Sequence, residues 1–340
     1  MMAKANREEI SEQQFQPIAI EAVEKEEITS ETISFGRDVW YRLLKNKVAL
    51  ISGIIILIIA VMAIIGPSLN KWSFHEQEIT ASNLPPKISY IEDITWLPFT
   101  GVNSSGVDVY SERQIEESYW FGTDKLGRDL WTRTWKGAQI SLIIGLVATL
   151  VDIFIGVVYG GISGYFGGNT DNIMQRIVEI LMSIPQLVII ILLIMVLKPG
   201  LLSIIIAIAM TGWIGQSRIV RGQILKIKSS EYILAARTLG AKPLRLIGKH
   251  LLPNTMGPII ITTMFSIPTA IFAEAFLSFI GLGIPQPNAS LGTLIDSGSK
   301  VVDTHGYQVL FPAIILSLLL ICFNLFADGL RDAFDPKMKR

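Results

Sequence analysis

Residues 48–66 read VALISGIIILIIAVMAIIG, nineteen positions without a charge. At about 1.5 Å per residue, a helix of that length crosses the roughly 30 Å hydrocarbon core of a bilayer. Lipid offers the backbone no hydrogen-bond partners, so a block this long and apolar must satisfy itself as a helix. Five more blocks follow, at about Ala138 to Tyr159, Ile180 to Leu197, Pro199 to Ser217, Asn254 to Ile280 and Val309 to Ala327. The expected fold class is all-α, a polytopic membrane bundle of six transmembrane helices. Pro185, Pro258, Pro268 and Pro312 lie inside these blocks, which a membrane bundle tolerates where neighbours satisfy the freed carbonyls. Only Lys198 and the turn signal Pro199-Gly200 separate the third and fourth blocks, so these should form a tight antiparallel pair.

Composition agrees. Half of the 340 residues are hydrophobic and 17% are charged, with a mean hydropathy of +0.48, too apolar for an ordinary soluble domain. The formal net charge is zero and suggests neither a nucleic-acid partner nor an acidic substrate. The single cysteine, Cys322, excludes an intramolecular disulfide framework and a cysteine-rich metal site. His75, His250 and His305 lie outside the apolar blocks and leave little material for metal binding or histidine catalysis. Residues 1–35 are acidic and rich in Glu and Gln, with no basic stretch, apolar run and small-residue cleavage site. They read as a disordered tail, and the first block reads as an uncleaved anchor.

Basic residues set the orientation. Arg37, Arg42, Lys45 and Lys47 precede the first block, and Arg218, Arg221, Lys226, Lys228, Arg237, Lys242, Arg245 and Lys249 crowd the segment 218–252 against Glu231 alone. The tail carries Arg331, Lys337, Lys339 and Arg340. All three clusters should be cytoplasmic in a multi-pass cell-membrane protein. The segment 67–137, with ten acids and seven bases, falls outside by alternation. The chain then divides into an acidic cytoplasmic tail (1–35), an N-terminal segment with the first span (36–66) and an extracellular loop (67–137). A core of five spans containing the loop 218–252 (138–330) and a cytoplasmic C-terminal tail (331–340) complete it.

The segment from Ser229 to Asn254, SSEYILAARTLGAKPLRLIGKHLLPN, is unusual for a linker. Its signals predict two short helices. Ser230 can cap the first, Glu231 suits the dipole of its first turn, Arg237 lies towards its end and Gly240 can take the left-handed C′ position. Pro243 can open the second. Ala235 and Ala236 form a small-residue patch where another protein surface can approach closely. A short helix held among basic residues at the membrane surface reads as a docking element.

These residues resemble the EAA loop of binding-protein-dependent ATP-binding-cassette importers, in which E-A-A is followed by Gly after three residues and by I-x-L-P after nine more. Here Leu234-Ala235-Ala236, Gly240 and His250-Leu251-Leu252-Pro253 keep that spacing, with Leu234 in place of the Glu and His250 in place of the Ile. FGTDKLGRD (121–129) and AFLSFIGLGIPQPNASLG (275–292) are similar to markers of the oligopeptide, dipeptide and nickel permease branch, in particular its C-type subunit. The resemblance runs from about Arg37 to the C-terminus. It implies a type I importer permease fold with cytoplasmic coupling helices, and an ATPase-docking set of Glu231, Ala235, Ala236, Arg237, Gly240 and Pro253. It also implies a heterodimer with a second, homologous permease, two ATPase subunits that bind ATP and Mg, and an extracellular binding protein that delivers peptide. The chain itself would bind no cofactor. Whether the cargo is a dipeptide, a longer peptide or a nickel chelate stays open.

Other chemistries are weaker readings. The only Gly-Lys pair, Gly248-Lys249, has Pro243 and His250 where a phosphate-binding loop needs Gly and Ser or Thr, so ATP must be hydrolysed elsewhere and the chain should not be an enzyme. Gly161-Ile162-Ser163-Gly164 matches the nucleophile tetrapeptide of rhomboid-type proteases, but no apolar block holds a histidine base, and a glycine-rich turn at a helix end is the simpler reading. Glu274 and Asp152 are acids inside apolar blocks, a costly placement that marks either a translocation path and its gate or a satisfied interhelical contact. An ion-coupled transporter would also use such acids, yet it would not explain the docking loop, and internally repeated halves are not visible. Asp171, Arg176 and Glu179 have spacings typical of the family; Arg176 and Glu179 can pair along a helix, and all three read as structural first and as gate-supporting second.

Overall fold

The computed structural model describes residues 35–90, 98–103 and 105–334; positions 1–34 of the expected acidic tail and the last six residues lie outside the described residues, while Phe35, expected in the tail, opens a helix. One compact unit begins at Val39, and every packing relationship below belongs to it. Helix α1 spans Phe35–Lys45 and α2 spans Lys47–Ile65. The side chain of Asn46 separates them, accepting from the amides of Val48 and Ala49 at 3.1 and 3.2 Å, an N-cap that satisfies two of the free amides at the start of α2. Helix α2 buries Ala49, Ser52, Ile59 and Ala63 and leaves Ile51, Ile54, Leu57, Ile58 and Ile64 exposed, a surface suited to lipid.

A short helix, α3 (Val109–Glu112), precedes the long α4 (Leu130–Phe166). Then come α5 (Gly168–Ser183), α6 (Gln186–Leu197), α7 (Leu201–Ile227), α8 (Glu231–Thr238) and the single turn α9 (Pro243–Arg245). A π-helical turn, Leu246–Leu251, leads into α10 (Leu252–Leu277), and a second, Ser278–Leu282, leaves it. Helices α11 (Leu291–Ser299), α12 (Val302–His305) and α13 (Tyr307–Phe334) complete the described order. Five helices are long and apolar enough to cross a membrane: Lys47–Ser68, Leu130–Phe166, Leu201–Ile227, Pro243–Leu282 and Tyr307–Phe334. A sixth candidate is the pair α5 and α6, bent by 83°.

That bend divides the apolar block expected as one span from Ile180 to Leu197. Pro185 lacks an amide hydrogen, and its ring pushes the preceding residue out of helical geometry; Ile184 accordingly sits at φ −94°, ψ 129°. After the break α6 folds onto α7, as the short Lys198 to Gly200 connection predicts, with Ile190 and Ile194 packed in one core with Ile204, Ile205 and Ile208. The other three internal prolines do not break their helices: Pro258 and Pro268 lie within α10 and Pro312 within α13.

Helices α4 and α7 make the most extensive contact in the bundle, and glycine allows it. A Cβ on Gly160 would stand 2.3 Å from the carbonyl oxygen of Ser217, one on Gly156 would stand 2.7 Å from Gln216 Cβ, and one on Gly164 3.0 Å from the carbonyl oxygen of Arg221. This small-residue row brings the two backbones together. The tetrapeptide Gly161 to Gly164 is therefore part of a continuous helix rather than the turn expected there, and Ser163 is fully buried and donates to Asp171.

The segment between α2 and α4 closes one end of the bundle and has its own small core of Ala81, Leu84, Val109, Tyr110 and Tyr119. FGTDKLGRD is the knot that ties it down. Gly122 (φ +77°) and Gly127 (φ +72°) take left-handed backbone, and a Cβ on Gly127 would fall 1.7 Å from the carbonyl oxygen of Glu78. Arg128 pairs with Asp124 at 2.6 Å, both buried, and reaches Gln286 at 3.3 Å. Asp129 caps α4, accepting from Thr132 N at 2.8 Å and Asn70 Nδ2 at 2.7 Å; burial pushes its carboxyl pKa up while these bonds pull it down.

Candidate docking helix and interior cavity

At the opposite end, where α4 finishes, helix α8 lies on the bundle. Ile233 is its anchor, fully buried in a core with Tyr165, Val220, Ile224, Leu246, Ile247, Leu251 and Ile259. Arg237 stands over the ring of Tyr165, 5.5 Å from its centre, a cation–π contact. Lys228 donates to the carbonyl oxygen of Gly164 at 2.9 Å and fixes the end of α7 against the end of α4.

The C-terminus of α8 is closed as expected. Gly240 has φ +81°, its amide donates to Arg237 O at 2.9 Å, and the amide of Ala241 donates to Ala236 O at 3.1 Å. This pair of bonds is the Schellman motif, which needs a left-handed C′ residue. The N-terminus differs from expectation. Ser230 occupies the N-cap position, but its hydroxyl donates back to Ile227 O at 2.7 Å and accepts no amide bond. Pro243 opens α9 as expected, and Pro253 lies exposed in the first turn of α10.

The two alanines, one patch in the sequence reading, part ways. Ala236 is half-buried against the Ile233 core, whereas Ala235 is exposed with Glu231, Tyr232, Leu234 and Arg237. Leu239 and Leu244 are 88% and 77% exposed. A helix anchored on one side and carrying leucine, tyrosine and alanine on the other, among basic residues, presents a surface able to bury against a partner protein.

The two interior acids also separate. Glu274 is fully buried and its carboxylate accepts from Ser141 at 2.9 Å and Ser278 at 2.7 Å. Ser141 in turn accepts from the amide of Leu291 at 3.3 Å, so the group joins α4, α10 and α11. The 275–292 marker supplies the fit: a Cβ on Gly292 would lie 2.5 Å from Ala275 Cα, and Ser290 caps α11 through a reciprocal capping box with Thr293. Asp152 instead borders a cavity of about 570 Å³ between α4, the α5–α6 bend, α7 and α10. Gln216, Thr262 and Ser266 line the same space. These hydroxyl and amide groups lie in apolar blocks with no spacing signal of their own, and the sequence reading passed over them.

Asp171 finds its partner away from its own helix. Arg221 donates to both of its carboxylate oxygens at 2.6 Å, a bidentate bond between α5 and α7. Arg176 and Glu179 pair at 2.8 Å on the surface of α5, as the helical spacing predicts.

Comparison with known proteins places this arrangement. Residues 153–340 match the family model described as binding-protein-dependent transport system inner membrane component, and residues 34–86 match the N-terminal transmembrane domain of oligopeptide transport permease C. The chain is 46% identical to the dipeptide transport system permease protein DppC of Bacillus subtilis over 93% of its own length and 90% of that protein's. It is 42% identical to the oligopeptide transport system permease protein OppC of the same organism, over 97% and 99% of the two chains. In fold it is similar to the MetNI methionine ABC transporter solved in inward-facing conformations, with a TM-score of 0.50 and 18% identity over 59% of this chain and 95% of that one. The chain belongs to the binding-protein-dependent ABC transporter permeases, in the family of the oligopeptide and dipeptide permeases OppC and DppC, as a multi-pass membrane component that is not itself catalytic.

Proposed function

We propose that this chain is one half of the membrane pathway of a peptide importer, paired with a second, homologous permease. Two cytoplasmic ATPase subunits drive it and an extracellular binding protein delivers the peptide. The observation that carries this reading is α8: its inner side is locked into the bundle through Ile233, and its outer side offers Tyr232, Leu234 and Ala235 to a partner. Closure of the ATPase pair would push on α8. Because Ile233 shares a core with the ends of α4 and α7, that push is transmitted to the two helices that border the cavity.

The same reading places α8, both termini and the segment 218–252 in the cytoplasm and the segment 67–137 outside, supported by the three basic clusters. Within it, Glu231, Ala235, Ala236, Arg237, Gly240 and Pro253 build the docking region, with Ala236 and Gly240 shaping the helix and Ala235 meeting the partner. Asp152 borders the path, and Glu274 holds the helices around it. The test is uptake of labelled di- and tripeptides by cells that have lost this gene, with and without the gene restored. Restored, ATP-dependent uptake supports the proposal; peptide uptake unchanged by the loss contradicts it.

A further inference from the structure

We infer that Asp152 is the seat for the ammonium group of a peptide in transit. The inference rests on the peptide-import reading above and goes further, because it assigns one residue and one chemical group of the cargo.

Asp152 is only 5% exposed, and its Oδ1 is buried with no hydrogen-bond partner among the described residues. Asp152 and Gly212 both line the cavity. A Cβ on Gly212 would stand 2.0 Å from Oδ2 and 2.6 Å from Oδ1, so only glycine leaves room there for the carboxylate. An unpaired buried carboxylate is costly unless a cation completes it, and the cavity lining contains no Lys, Arg or His.

The hydroxyls of the wall narrow the choice of cation. Thr211 donates to Ile208 O at 3.3 Å, Ser266 to Thr262 O at 3.1 Å and Thr269 to Phe265 O at 2.8 Å. Thr262 has its acceptors in Gln216 Oε1 at 2.7 Å and Pro258 O at 2.9 Å. A hydroxyl has one hydrogen and two lone pairs. With each hydrogen directed within the wall, what these groups can offer the cavity is lone pairs. Gln216 directs one N–H to Ile259 O at 3.5 Å. Hydroxyl lone pairs beside a bare carboxylate complement a group with three donors and no acceptor, which describes an ammonium; the amide of Gln186, also in the lining, adds a carbonyl acceptor for it along with donors of its own. A peptide with an unmodified N-terminus carries one there at neutral pH.

The test uses the complete complex, purified through this chain and reconstituted in liposomes with its binding protein. The probes are labelled trialanine and N-acetyl-trialanine, each supplied at the concentration that half-loads the binding protein. Asp152→Asn preserves shape and removes charge, and co-purification of the other subunits reports whether the complex is intact. The expected result is a roughly tenfold drop in trialanine uptake in the variant, with uptake of the acetylated peptide unchanged from wild type. An equal loss for both peptides in an intact complex would mean that the carboxylate pairs with a fixed cation, inorganic or from the second permease, and would overturn the inference. So would unchanged uptake of both, or loss of the complex itself. If the wild-type complex takes up neither probe, the import reading fails and this inference with it.

Discussion

Arg221 grips Asp171 with both arms of its guanidinium, each bond 2.6 Å long, and thereby ties α7 to the first turn of α5. Ser163 of α4 donates to the same carboxylate, so three helices meet at one charge. Asp171→Asn should lower the thermal midpoint of the detergent-solubilised protein, with a loss of about 1–3 kcal/mol. Arg221→Lys should cost less, since an ammonium keeps the charge but not the fork. Thermal unfolding followed by size-exclusion chromatography reads both; two variants as stable as wild type would remove this pair from the account.

The α4–α7 contact makes a prediction about neighbouring glycines. Gly160→Ala places a methyl group 2.3 Å from Ser217 O, whereas Gly161→Ala meets Ile247 at 3.5 Å, an ordinary contact. The first should cost about 1–3 kcal/mol and the second should be neutral or mildly stabilising. The same thermal assay compares them, and equal effects would contradict the close approach.

For Glu274 the geometry favours a role in assembly. Its carboxylate accepts from Ser141 and Ser278 and is shut away from the cavity. Glu274→Gln should therefore reduce the yield of intact complex and uptake in proportion. A normal yield with uptake abolished would give Glu274 a part in the path itself.

How far the sequence could be read depends on the scale of the signal. Apolar blocks declare spans because the bilayer permits few alternatives, and Gly240 declared a helix end because a Schellman turn needs a left-handed residue. The bend at Pro185 was harder. The same residue that breaks the chain there is tolerated at Pro258, Pro268 and Pro312, and only the neighbouring helices decide. Periodicity over eight residues likewise could not tell which alanine of the pair faces the core, since Ile233 sets the rotation of α8 through contacts with α7 and the Leu246–Leu251 turn. The partner of Asp171 lies fifty residues along the chain, beyond any local pattern.

Orientation has a direct check. In a Cys322→Ala background, which removes the one native thiol, Ser105→Cys in the exposed part of the 67–137 segment should react with an impermeant maleimide added to intact cells. Thr238→Cys at the exposed end of α8 should react only after the cells are opened. The reverse pattern would invert the topology.

The central claim is that the outer side of α8 is where separate ATPase subunits take hold. Ala235→Glu puts a charge into that contact without touching the Ile233 core, so the chain should insert and fold as before, while binding buries an unpaired carboxylate. Gly240→Val strains the left-handed turn that ends the helix and should act in the same direction. The decisive measurement is the amount of ATPase subunit retained on the Ala235→Glu protein purified from membranes, alongside peptide-stimulated ATP hydrolysis. The account predicts wild-type membrane levels with both quantities reduced roughly tenfold or more. Wild-type retention and wild-type hydrolysis would contradict it.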